Sequence, residues 1–450
     1  MSYLNILANS IFLPTMDLVF GSQIKKYLDF LNNSQYWSKN ELEALQEERL
    51  KILINYVYNN VPYYRKIMKN NKLIPDDFKN INDISKFPIQ TKENIRKGIR
   101  EGSLISTSID TSKLIYSSSS GSTGEPLQFY IDKVCNSINK ATGIRAWQWM
   151  GFELGDKILR INYLPRHNIK KRLQDKFSNN RYIQINILDK KEIHNIIKNL
   201  NTFKPKVLRC YPEPLYRIAK YIQENHIDIE NIPIVSTTGS KIFNYQRELI
   251  EQVFNAELFD GYSCEGGSSI SECEKHSYHS ALEYAITEIV DENDCPTKKG
   301  RHITTDLWNI ACPFIRYDSG DILSLTDEKC LCGRELLRIE EIFGRESEVI
   351  ITPDKNNLYV PAIVGFMQDY KGVDQFQLVQ IDFDKIIMKL KINDKYNSSE
   401  ESDILSLINS LIGGKMTIKI EYVDCIPLLH NGKPRIIENQ YIKSNLKNHI

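Results

Sequence analysis

The chain has 450 residues, 41% of them hydrophobic and 26% charged, the composition of an ordinary soluble protein. It is too long for a single core, so two or three domains are expected. Its 58 basic and 57 acidic residues leave a formal net charge of +1, which supplies no global field to gather nucleic acid or an anionic membrane.

Nine cysteines, an odd number in a long chain, argue against a secreted disulfide framework and point to a cytoplasmic protein. The N-terminus is apolar through Leu4, Ile6, Leu7, Ile11, Phe12 and Leu13, and its first lysine is Lys25. That run has neither the basic start of a signal peptide nor the length of a membrane span. Packing on the protein's own core is its expected use, and peripheral rest on a membrane surface is the alternative.

Residues 38–61 predict a helix. Ser38-x-x-Glu41 is a capping box, Leu42, Leu45, Ile52, Leu53, Tyr56 and Val57 are assigned to one face, and Pro62 ends the run. The stretch Tyr116-Ser-Ser-Ser-Ser-Gly-Ser-Thr-Gly-Glu-Pro126 reads as a loop leaving a strand. Small residues and hydroxyls there expose backbone N–H donors suited to polyphosphate oxygens. No lysine follows Gly124, so this is not a Walker A loop, and a Ser/Gly linker has the same composition.

Short apolar runs at 157–161, 183–187, 207–210 and 234–236 alternate with helical patterns at 191–200 and 215–223. Strands spaced by helices predict an α/β domain with layered, largely parallel sheets. The sequence Asp260-Gly261-Tyr262-Ser263-Cys264-Glu265-Gly266-Gly267 ends one such strand in an aromatic, two carboxylates and glycines. It reads as a ligand crevice or as a plain turn with a packed tyrosine. Arg316-Tyr317-Asp-Ser-Gly320-Asp321 runs a buried strand into a turn whose aspartate either makes an Asx turn or grips a diol.

After Gly344-Arg345 the texture becomes a smaller α+β unit, with strands predicted at 375–381, 385–392 and 417–422 and a helix at 401–411. The boundary falls at 343–347. In His430-Asn431-Gly432-Lys433-Pro434, Asn-Gly is a tight-turn signal that places Lys433 at a loop tip. Cys273-x₅-His279 and Cys330-x-Cys332 are two halves of a Cys₃His set suited to closed, structural zinc. By spacing alone free core thiols fit as well, and His276 competes with His279.

These motifs, in this order, resemble the series of adenylate-forming enzymes. More narrowly the chain resembles the branch of phenylacetate–CoA ligase, coenzyme F390 synthetase and the CapK proteins of capsule biosynthesis. Phe12-Leu-Pro14, Gln46 and Val61-Pro-Tyr-Tyr-Arg65 look most like CapK. The resemblance implies a large N-terminal adenylation domain over residues 1–343, with a zinc-binding insertion at about 264–333. It implies a small mobile α+β domain over 344–450 that carries the catalytic lysine.

By the same resemblance Ser119, Ser120, Gly121, Ser122, Thr123 and Gly124 would cradle the phosphates of ATP, and Asp260 and Tyr262 would hold adenine beside Gly239-Ser240. Glu265 would ligate Mg²⁺, Asp321 would grip ribose, Arg345 would contact ribose or phosphate at the hinge, and Lys433 would bridge the carboxylate and the α-phosphate. Relatives of the F390 synthetase type carry a zinc site in this region, which assigns Cys273, His279, Cys330 and Cys332 to Zn²⁺.

The implied reaction joins a small-molecule carboxylic acid to AMP with ATP and Mg²⁺. The acyl group then passes to an acceptor, expected to be an amine of a surface polysaccharide precursor. A CoA ligase, an AMP transferase and a silent zinc-stabilised subunit are the competing readings. The departures are Glu125 where many relatives have lysine, Ser263 after the tyrosine in place of glycine, Ser240 where glutamate is common, and Thr352-Pro-Asp-Lys-Asn-Asn357 in place of a basic-glycine segment.

Overall fold

The computed structural model describes residues 3–118, 127–162, 172, 175–176, 178–185, 188–345, 348–353, 358–360, 363, 367, 370–427 and 435–441. The expected phosphate loop at 119–124 and Lys433 lie outside the described residues. The chain divides into two units. The first holds residues 1–239, 250–319 and 323–341, and the second holds 240–249, 320–322 and 342–450.

In the first unit, α1 (Tyr3–Leu7), a π-helical turn (Ala8–Phe12) and α2 (Leu13–Phe20) lead into α3 (Ile24–Ser34) and α4 (Lys39–Asn60). The start of α4 follows from the capping box. The Ser38 hydroxyl accepts from the Glu41 N–H, and the Glu41 carboxylate accepts from the Ser38 N–H at 2.8 Å. Its buried stripe is Leu42, Gln46, Leu50, Leu53, Ile54 and Val57, whereas Ile52 is 46% exposed. The expected face was therefore rotated. A polar Gln46 breaks the apolar periodicity, yet it belongs to the stripe because its amide donates to the Leu282 and Ala285 carbonyls at 2.9 and 3.1 Å.

After α5 (Pro62–Asn70), α6 (Lys92–Arg100), β1 (Ile115–Ser118), β2 (Gln128–Ile131) and α7 (Lys133–Trp149), an eleven-stranded sheet begins. Its parallel part comprises β3 (Ile158–Asn162), β4 (Asn180–Gln184), β5 (Val207–Cys210), β6 (Ile234–Thr238) and β7 (Glu257–Ser263), in spatial order β4-β3-β5-β6-β7. Helices α8 (Lys190–Phe203), α9 (Pro212–Glu224) and α10 (Asn244–Phe254) make the crossovers. β4 starts three residues before the predicted run. It is the sheet's edge strand with little burial, so its apolar residues mark its end and not its start.

Beyond β7 the sheet turns antiparallel through β8 (Ser269–Glu272) and β9 (Tyr278–Ser280). It is completed by β10 (Ala285–Val290), β11 (Lys299–Asp306), β12 (Tyr317–Leu325) and β13 (Leu337–Arg345). The fold is thus the expected mixed α/β architecture with layered sheets. Among the described residues no helix is long and apolar enough to cross a membrane.

In the second unit β14 (Val349–Ile350) pairs with β15 (Leu358–Tyr359). A four-stranded sheet follows, built from β16 (Val373–Asp382), β17 (Lys385–Ile392), β18 (Thr417–Tyr422) and β19 (Ile437–Asn439) in order β18-β17-β16-β19. Helix α11 (Ser398–Leu411) buries Ile404 and Ile408 against Leu378, Met388, Leu390 and Ile437. Strands and helix lie where the apolar alternation of the sequence predicts them.

Candidate active site and metal centre

Parallel strands of an open α/β sheet present their carboxyl ends to a ligand. Here β6 ends at Thr238, followed by Gly239 at φ +86°, and β7 carries Asp260 and Tyr262 near its end. Asp260 is buried. One carboxylate oxygen accepts from the Thr237 hydroxyl at 2.6 Å, the other accepts from the Tyr278 hydroxyl at 2.8 Å, and its N–H donates to Glu272 at 2.8 Å. The Asp260 carboxylate thus ties β6, β7 and β9 together. The Tyr262 ring stands near the end of the same strand, half-buried. The Tyr262 hydroxyl lies 3.2 Å from His302 Nδ1, and the Ser319 hydroxyl, which donates to the His302 carbonyl, lies 3.1 Å from the same nitrogen.

Glu265 occupies the turn between β7 and β8, half-buried. The glycines after it are there because of close approach. A Cβ on Gly266 would come within 2.2 Å of Thr304 Cγ2, and one on Gly267, at φ +87°, within 2.8 Å of Asp306. The Gly266 carbonyl accepts from the Thr304 hydroxyl at 3.0 Å. The turn is therefore clamped onto β11, which fixes where Glu265 sits.

Behind it Asp306 is buried, and desolvation pushes its carboxyl up to about 6 against the N–H donors of Trp308 and Asn309. Arg316, at φ +47° and buried, is a structural clamp. It pairs with Glu288 at 3.0 Å and donates to the Ser85 and Phe87 carbonyls at 3.0 and 2.7 Å.

In the second unit Asp321 and Arg345, 24 residues apart in sequence, form an ion pair, with Arg345 Nε 3.1 Å from Asp321 Oδ1. Asp321 is buried and Arg345 half-buried. The candidate ribose-gripping carboxylate is thus oriented by the candidate hinge arginine. Ser240 also falls in this unit, at the start of its 240–249 segment.

The metal candidates converge. Sγ of Cys273, Cys330 and Cys332 and a ring nitrogen of His279 all lie within 4.8 Å of one another. Cys273 Sγ is 3.7 Å from Cys330 Sγ, and Cys332 Sγ is 3.3 Å from His279 Nε2. Zn–S bonds of about 2.3 Å and a Zn–N bond of about 2.0 Å set tetrahedral edges of roughly 3.8 Å between sulfurs and 3.5 Å between sulfur and nitrogen. The donor set fits zinc in kind and spacing.

Burial pushes the Cys273 thiol up to about 12 and the His279 imidazole down to about 4. The imidazole is therefore held in its ligating neutral form, and the thiol is one that a bound cation would deprotonate. His276 is excluded. It stacks on Phe259 at 4.8 Å and meets Glu257 at 3.1 Å. Arg334 braces the cluster's surroundings, bonding Glu274 at 2.8 Å and Gln35 at 3.0 Å while lying over the Trp149 ring, whose edge faces His279.

Thr237, Tyr278 and His302 are the supporting residues that sequence reading missed. They sit on three strands remote in sequence from Asp260 and Tyr262, and no local motif marks them.

The chain is similar to several known proteins. A family model described as the CapK C-terminal domain matches residues 350–440. Protein CapK of Staphylococcus aureus is 27% identical over 418 residues, spanning 89% of this chain and 90% of that protein. A phenylacetate–coenzyme A ligase of Thermus thermophilus is 22% identical over 404 residues, 82% of this chain and 85% of the ligase. Among solved structures, 2-hydroxyisobutyryl-CoA ligase in its postadenylation state superposes with a TM-score of 0.74 at 17% identity, covering 93% of this chain and 94% of that one. The amide bond synthetase McbA of Marinactinospora thermotolerans gives 0.55 at 12% identity over 76% and 70%.

The fold is that of the adenylate-forming ligases. Over most of its length the chain is similar to CapK and to phenylacetate–CoA ligases, and residues 350–440 match the CapK C-terminal domain model.

Proposed function

We propose that the protein activates a small carboxylic acid as its acyl-adenylate, using ATP and Mg²⁺, and passes the acyl group to an amine in surface polysaccharide assembly. The observation that carries the reading is the placement of Gly239, Tyr262 and Glu265 at the carboxyl ends of β6 and β7, in a chain whose likeness to CapK runs nearly end to end.

In this reading Ser119–Gly124 hold the phosphates, the Tyr262 ring stacks on adenine, and Asp321, oriented by Arg345, grips the ribose diol. Glu265 holds Mg²⁺, which neutralises charge that builds on the transferred phosphate. Lys433 meets the same charge from the attacking carboxylate's side, a task suited to a compact ammonium. Residues 1–343 form the adenylation domain, and 344–450 form the mobile domain that carries Lys433. Cys273, His279, Cys330 and Cys332 hold a structural zinc that cross-links the β8–β9 hairpin to the loop before Gly333.

A cytoplasmic site of action is in keeping with nine free thiols. Peripheral contact with membrane is also part of the proposal, since α2 leaves Leu18, Val19 and Phe20 exposed by 84, 69 and 49% and such apolar patches mark contact surfaces. Co-sedimentation with anionic vesicles, lost in a Leu18→Asp/Val19→Asp variant, checks it.

The acceptor test incubates protein, ATP and an acid panel with aminosugars or with CoA and identifies the product by mass spectrometry. An amide is the expected product. A thioester moves the assignment to a CoA ligase, and a stable AMP ester moves it to an AMP transferase.

A further inference from the structure

One face of the parallel sheet is graded from base to ligand end. Its lower layer is Ile158, Val207 and Ile234, packed on Met150 and Phe152. Two residues further up each strand, where β3 and β5 pair Arg160 with Arg209 and β5 pairs Arg209 with Ser236, that layer becomes cationic. Both guanidiniums lie over the Trp147 ring of α7, Arg160 at 4.8 Å and Arg209 at 5.1 Å from its centroid. Two residues further still come Asn162 and Tyr211, with Asn162 bonded to the phenol, level with Thr238.

An arginine packed half-buried against a sheet ordinarily has a carboxylate partner, because partly desolvating a lone charge costs more than a serine returns. Arg209 has a serine. Its Nη1 donates to Ser236 Oγ at 3.0 Å, and among the described residues no carboxylate lies within ion-pair distance of it. Burial pulls its guanidinium below the usual range, opposed only at longer range by Tyr211 and Asp260. Trp147 holds the group flat from one face, so its remaining N–H edge is preorganised for a planar anion.

We propose that Arg209, with Arg160 beside it, is the recognition site for a second anionic group on the acid that is activated. This inference rests on the adenylation reading, which places the reacting carboxylate at the end of β6, level with Thr238. Two residues of strand rise put the arginine layer about 6.6 Å below that level, the span of a four-methylene spacer. The favoured substrate class is therefore an acid whose second anion lies four or five bonds from the reacting carboxyl. A dicarboxylate and a uronic acid 1-phosphate both meet this requirement.

The test is acid-dependent exchange of labelled pyrophosphate into ATP with adipate against hexanoate, and with an α-uronic acid 1-phosphate against the methyl glycoside of the same uronic acid. In the wild-type protein at least one anionic member is expected to exceed its neutral partner in kcat/KM by about 10- to 100-fold, as one partly desolvated charged pair allows. Whichever pair shows the preference identifies the second anion as carboxylate or phosphate.

In Arg209→Gln that ratio is expected to collapse toward one, and Arg209→Lys is expected to restore part of it. Thermal melts of each variant report folding, and if Arg209→Gln does not fold, the wild-type ratio and Arg209→Lys decide the matter. Exchange that is equal or better with both neutral acids, or a ratio unchanged in a folded variant, overturns this inference and leaves adenylation standing. No exchange with any acid overturns both.

Discussion

The strand ends around Tyr262 and the cluster around Cys273 are parts of one sheet built on opposite terms. At the cluster, donors from the turn after β8, from β9 and from the loop after β12 come within 4.8 Å of one another. At the strand ends the polar groups are spent on one another, as Asp260 on Thr237 and Tyr278 and Tyr262 on His302. The surfaces left over face outward half-exposed. A closed donor set serves stability, whereas a braced and open one serves a ligand.

Stripping the metal breaks the comparison hardest. Purified protein should carry about one zinc per chain by elemental analysis. Chelation or Cys332→Ser should lower Tm by roughly 5–10 °C, the scale of a lost structural ligand in a domain of this size, while initial exchange rates at low temperature persist. Full thermal stability without metal would return the four side chains to ordinary core thiols.

Asp321→Asn is next. Losing the proposed anionic grip on ribose should raise KM for ATP by about 10- to 100-fold, with a modest fall in Tm because the variant also weakens the pair between the buried Asp321 carboxylate and the half-buried Arg345. His302→Gln sharpens the contrast, because it removes the partner of the Tyr262 hydroxyl without touching a ligand. A several-fold rise in KM for ATP with kcat nearly constant is expected, and steady-state kinetics with varied ATP measures it.

The smallest effect is a pH slope. Asp306 titrates at about 6 in the fold and near 3.9 unfolded, so its charged form penalises folding. That penalty is complete above pH 6 and is relieved as pH falls from 6 toward 4. Asp306→Asn should remove this contribution, leaving stability equal or greater at pH 7 and less acid-stabilised relative to wild type, as denaturant titrations at pH 7, 6, 5 and 4 would show.

Much of this was legible in the sequence because local chemistry decides it. The Ser38–Glu41 box places α4, alternation places β16 to β18, and Gly266-Gly267 after Glu265 marks a turn at the end of β7. Other features depend on partners that only the folded sheet supplies. The buried stripe of α4 runs through Gln46, which looks like surface until its carbonyl partners are present. The choice of His279 over His276 is made by the hairpin geometry of β8 and β9. Asp260 reads as a ligand residue by motif, and the hydroxyls of Thr237 and Tyr278 claim its side chain. Arg209 looks like one basic residue in an apolar strand until Arg160 and Trp147 lie beside it. The phosphate loop and Lys433 were assigned by motif order alone.

The central claim is that this chain adenylates a carboxylic acid with Lys433 at the reacting centre. Pyrophosphate–ATP exchange over a panel of amino, uronic, dicarboxylic and aryl acids, run in parallel with wild type and Lys433→Ala, tests it without knowledge of the acceptor. The account predicts exchange that depends on one class of acid and falls by roughly 100- to 1,000-fold in the variant, with Tm unchanged. Folded wild-type protein that exchanges with no acid, or a Lys433→Ala variant as active as wild type, would contradict it.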